Sequence, residues 1–145
     1  MTRSRWIAKA AGAVFLAAMV YGVVGVTFAV PAHGSAFQVR AWRLAAWVVS
    51  GVVFAAHIAY AHWRLRTTPA PTALQASLGA ALGAFLLAAA ATARAYQAGA
   101  GNLPSFRLAL VAWPVVTFVP AFITAFIVTA VPGLRRRVGE AARSA

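Results

Sequence analysis

A chain of 145 residues that is 63% hydrophobic and only 10% charged does not carry the surface of a water-soluble domain, which needs about a quarter charged residues. Its formal charge of +12 is spread over short segments between apolar runs, which excludes the single basic face that nucleic-acid binding requires. Cysteine is absent, so disulfides, thiolate metal sites and thiol catalysis are excluded too.

A helix needs about 20 apolar residues to cross the hydrocarbon core, and four stretches are that long. The first covers about 6–30, with Lys9 near enough to its start to snorkel and Pro31 at its end. A cleaved signal peptide would also begin basic, and Val30 and Ala32 offer a small-residue pair before His33. The charge-free run from Ala10 to Val30, however, exceeds the roughly 7–15 residues of a signal core, which favours a retained anchor.

The second stretch covers about 44–63, with Trp47 and Trp63 as interfacial anchors and His57 inside. Ser50, His57 and Arg64 recur every seven residues and Tyr60 follows His57 by three, so the four are expected on one helix face. Imidazole at membrane depth is costly to expose to lipid, so this face should point into protein. Thr124 is the first expected partner for His57, with Gln75 and Ser77 in reserve. His57 either carries a polar path or acts as interhelical glue. His62 reads as interfacial.

The third stretch, about 72–93, is rich in alanine and holds Gly79 and Gly83 in a GxxxG spacing; Ala18 and Gly22 form a similar pair in the first. Small residues let helices approach closely, so spans one and three are expected to touch. The fourth, about 108–131, is expected to be interrupted at Pro114 and Pro120, which cannot donate to the carbonyls of Leu110 and Val116. Thr117 and Thr124 lie on either side of Pro120, near the midplane.

The connections 31–43, 64–71 and 94–107 and the basic tail 133–145 are too short for a soluble domain, so 1–145 reads as one membrane unit. Pro69, Pro71, Gly99, Gly101, Asn102 and Pro104 are read as turn formers that stop helices. Nine of the 13 basic residues (Arg3, Arg5, Lys9, Arg64, Arg66, Arg135, Arg136, Arg137 and Arg143) fall on one side of an alternating topology. Four, Arg40, Arg43, Arg94 and Arg107, fall on the other. By the positive-inside rule both termini are cytoplasmic. The preference for arginine over lysine and the abundance of alanine suggest a GC-rich bacterial genome, and hence a multi-pass protein of a bacterial inner membrane.

The expected fold is thus an all-α, four-helix integral membrane bundle. Its one carboxylate, Glu140, lies in the tail, which leaves no residues for paired-carboxylate catalysis, carboxylate metal cages or an oriented nucleophile triad. Exporters of the small multidrug-resistance type have this size and span count, but they depend on an acidic residue in the first span that this chain lacks. Haem between helices needs two histidines, and only His57 lies deep enough. The expectation is a protein with no enzymatic activity, cofactor or metal. Its partners would be the lipid bilayer and other membrane helices or further copies of itself. It would serve as an accessory subunit or scaffold; the rival reading is a small homo-oligomeric channel or transporter with a polar path near His57.

Overall fold

Inside a bilayer the backbone has no water to bond, so apolar runs of this length close their hydrogen bonds within themselves as helices. The computed structural model describes residues 3–29, 35–99 and 103–144, with side chains of the last segment up to Val131. Four helices result: α1 (Arg3–Ala29), α2 (Ala36–Ala59) with a π-helical turn at Tyr60–Arg64, α3 (Pro69–Gln97) and α4 (Leu103–Ser144). Each holds a segment long and apolar enough to cross a membrane: Ile7–Thr27, Ala36–Arg64, Pro69–Gln97 and Pro104–Val131. There is no strand among the described residues. Val30, Pro31, Ala32, His33, Gly101 and Asn102 lie outside them, as do the side chains of Arg3 and Trp6 and those of the tail, including Arg135–Arg137, Glu140 and Arg143.

The starts of α2, α3 and α4 differ from the sequence reading, each for a local reason. Helix α2 begins well before residue 44, because Ser35 and Gln38 form a reciprocal cap: the Ser35 N–H donates to Gln38 Oε1 at 2.9 Å and the Gln38 N–H to Ser35 Oγ at 3.3 Å. Arg40 and Arg43 are exposed on its first turns and do not interrupt it. Pro69 and Pro71 start α3 instead of stopping a helix, since a first turn has no use for the N–H that proline lacks. Pro104 is likewise in the first turn of α4. Gly99 does end α3, at φ +64, where L side chains are strained.

Helix α4 is not interrupted. It runs unbroken through Pro114 and Pro120 and on through the residues read as a separate tail. Each proline removes one bond of the ladder, and in hydrocarbon the remaining bonds have no water to compete with them.

The packing order fixes the direction of each helix. Gly79 meets Ala17, Gly83 meets Tyr21, Leu86 meets Gly22 and Leu87 meets Gly25, so α1 and α3 run parallel. Thr92 reaches Phe106, while Ala73 and Ala76 cluster with Ala125, so α4 runs antiparallel to α3. Helix α3 is the hub, with 39% of its best span window buried against 28% for α1, 17% for α2 and 11% for α4. Its outward side is the leucine stripe Leu74, Leu78 and Leu82 with Phe85. One end of the bundle therefore holds the α2–α3 turn, the start of α1 and the end of the α4 span. The other holds the α1–α2 and α3–α4 connections. They are called here the turn end and the loop end.

Candidate functional site

At the turn end the backbone leaves the regular helix in a defined way. The Leu65 N–H donates to the Tyr60 carbonyl at 3.1 Å, five residues back, which makes the π-helical turn. Arg66 follows at φ 53, in the left-handed region where a non-glycine residue is strained. Thr67 then donates both its N–H (3.3 Å) and its hydroxyl (2.8 Å) to the Ala61 carbonyl. The buried Thr72 proton has the Thr67 hydroxyl and the Thr68 carbonyl (3.0 Å) as acceptors. This hydroxyl knot ties the end of α2 to the first turn of α3. Above it, Ile58, Ala73, Ala76 and Ala125 form an apolar cluster with Phe54 and Phe122 packed against it.

His57 lies on the α1 and α3 side of α2 and is only 6% exposed. It fills a notch made by Gly79: a Cβ placed there would stand 3.2 Å from His57 Cε1, 3.3 Å from His57 Nδ1 and 3.2 Å from Ala17 Cβ. Three helices thus meet at this imidazole. Neither of its nitrogens has a hydrogen-bond partner, and the same holds for three other enclosed atoms, Tyr21 Oη, Gln75 Oε1 and His62 Nδ1.

The remaining residues of the expected polar cluster do not gather around His57. Ser50 is half-buried, and Tyr60 is 42% exposed, so Tyr60 does not share the inward side. Tyr60 opens the π-turn, and three residues of helix already rotate it about 60° from His57. Thr117 is half-buried and Thr124 is exposed, so Thr124 is not the partner of His57. The contact side of α4 is occupied by the adjacent Ala125 and by Phe122, with Thr129 one turn on, and Thr124 falls beside it. Of the reserves, Ser77 donates to the Ala73 carbonyl of its own helix at 2.8 Å. Gln75 is buried, with its carbonyl oxygen unpaired.

The small residues do meet across helices. Ala18 is 3% exposed, and Gly22 packs under Leu86. A Cβ on Gly83 would overlap Tyr21 Cβ, so α1 sits directly against the α3 backbone at this point. Tyr21 and the Thr67–Thr72 pair were not singled out from the sequence. The run Thr67-Thr68-Pro69 was a readable signal for a helix start, with Thr68 as its N-cap. Tyr21 was not readable, because its burial follows from the register of α1 against α3.

Two shallow apolar grooves run along the outside, one between α3 and α4 at Leu82, Phe85 and Pro114, and one between α1 and α3 at Met19, Val23 and Leu86. No group of three or more His, Cys, Asp or Glu side chains is close enough to hold a metal ion among the described residues. No protein family, curated protein or solved structure matches this chain, so its functional reading rests on its own residues.

Proposed function

We propose that the protein is a non-catalytic component of a bacterial inner membrane, with both termini cytoplasmic, which docks through α4 on the helices of a partner membrane protein. The outer flank of α4 carries this reading. Thr92, Thr129 and Ser77 each donate to a carbonyl four residues back in their own helix. No such bond is made by Thr117 or Thr124 among the described residues, and Thr124 is exposed. Pro120, between them and also exposed, cannot donate to the Val116 carbonyl. Polar atoms facing acyl chains forfeit hydrogen bonds, whereas a second helix laid on this flank would supply them. The small share of α4 buried within the chain fits such a covering.

A photo-crosslinking residue at Thr124 should yield one discrete protein adduct in cells, and the same residue at Val52, on the exposed side of α2, should not. Thr117→Val with Thr124→Val should remove the adduct when the probe sits at Ile127. Adducts to lipid alone at both sites would overturn the docking reading. Reporter fusions after Arg66 and at the C-terminus should read cytoplasmic, and those in 36–43 and 98–107 external; the opposite pattern at two sites would overturn the orientation. The rival reading, a small homo-oligomeric channel or transporter, has His57 inside the chain and Tyr60 and Thr124 on its outside, where a further copy would have to cover them. It predicts ion or proton flux in vesicles that is lost in His57→Leu.

A further inference from the structure

Three of the side chains that hold unpaired polar atoms, Tyr21, His57 and Gln75, share one part of the interior. Gln75, Gly79 and Gly83 recur every four residues and so lie along one side of α3, about 6 Å apart in height. Tyr21 packs on Gly83 and His57 packs on Gly79, while Gln75 is itself the next step toward the turn end. His62, five residues beyond His57 on the chain of α2, is turned by more than about 100° from it around the helix axis and lies outside this row. From Tyr21 near mid-span through His57 to Gln75 nearer the turn end, the three side chains form a file along α3 where α1, α2 and α3 meet.

All three hold buried atoms without a partner: Tyr21 Oη, both nitrogens of His57 and Gln75 Oε1. His57 and Gln75 are 6% and 8% exposed, so bulk solvent does not satisfy them. A buried polar group left unpaired costs about 1–3 kcal/mol, and native interiors rarely leave several together. The chemistry of the set narrows what fits. A neutral imidazole offers one donor and one acceptor, the Gln75 carbonyl oxygen only accepts, and the tyrosine hydroxyl does both. The file holds no carboxylate and no second strong cation ligand, so it does not suit a metal ion. A molecule that both donates and accepts, and is small enough for a helix junction, satisfies every member.

We propose that Tyr21, His57 and Gln75 line an internal hydration site in which ordered water bridges the file from Gln75 to mid-span, closed at its inner end by Tyr21 over Gly83. The proposal is independent of the docking role of α4, which lies on a different side of the bundle.

The test uses the full chain in lipid bilayers with histidine and alanine isotopically labelled, and reads magnetisation transfer from water to side chains by solid-state NMR. The His57 ring is expected to receive magnetisation from water at a rate comparable to the His62 ring, and the methyl of Ala76 to receive none. Gln75→Leu should diminish the His57 signal while leaving that of His62. A His57 ring as dry as Ala76, or direct coupling of His57 to Gln75 or Tyr21 without water, would overturn the hydration site.

Unfolding of His57→Leu, Gln75→Leu and the double variant gives a second reading. Shared water predicts that each single change lowers stability and that the double change lowers it by less than their sum. Unhydrated atoms predict the reverse, a gain in stability from each removal.

Discussion

The turn end and the loop end are made from the same helices but packed by opposite chemistry. All six buried polar side chains among the described residues, His57, Thr67, Thr72, Gln75, Ser77 and Thr129, lie in the turn half. The loop half is filled by Ala88 and Ala95 and by leucines laid over glycine, Leu86 on Gly22 and Leu87 on Gly25, with Thr92 as its half-buried polar bridge. Lipid is as apolar as leucine, so the loop half is held by close contact and not by expulsion of water. The turn half adds hydrogen bonds whose loss leaves groups stranded. Packing errors should therefore dominate where α1 crosses α3, and losses of single polar atoms should matter most near the turn.

The largest effect is expected from Gly83→Ala. Its new methyl would overlap Tyr21 Cβ, an atom fixed to the α1 backbone, and should destabilise the protein by about 2–3 kcal/mol in a denaturant titration in micelles. Gly25→Ala should lose less than about 1 kcal/mol, because its Cβ, although only 2.9 Å from Leu87 Cδ1, meets the mobile end of a side chain. Gly12→Ala and Gly51→Ala, with nothing within 4 Å, should lose nothing. Equal effects at all four positions would show that α1 and α3 do not meet at Gly83.

Next in size is Thr72→Val, which keeps the shape and removes the hydroxyl that joins Thr67 to the first turn of α3. A loss of about 1–2 kcal/mol is expected, together with faster amide exchange at Thr67, whose N–H is bonded to the Ala61 carbonyl. Unchanged exchange there would mean that the knot does not hold the turn.

Thr92→Val should have the smallest effect. It removes the 3.2 Å approach to the Phe106 carbonyl across α3 and α4, yet the same hydroxyl already bonds Ala88 at 2.8 Å in its own helix. About 0.6 kcal/mol is the usual worth of an interhelical bond in a membrane. A loss as large as that of Thr72→Val would erase the contrast between the two ends.

The existence of four spans could be read directly from the chain, because length and apolarity alone decide whether a segment can cross a bilayer. The ends of the spans were read less well, since caps such as Ser35 with Gln38 are short and polar and look like loop. The candidate site was legible only at single residues. His57 stood out because a lone imidazole among apolar residues is conspicuous in any register. Its company was misread: Tyr60 and Thr124 were matched to it by periodicity and depth, which locate a residue along the membrane normal but not around a helix axis.

The sequence by itself determined that this protein is four apolar helices with small residues at the close approaches, because the cost of unpaired backbone in lipid leaves no other solution. Only the tertiary structure decided which helix is the hub, that Gly79 makes room for His57 and Gly83 for Tyr21, and that Thr124 of α4 turns away from the interior. Those choices depend on the rotation and register of one helix against another. In a chain where nearly every side of every helix is apolar, hydropathy carries almost no signal about either.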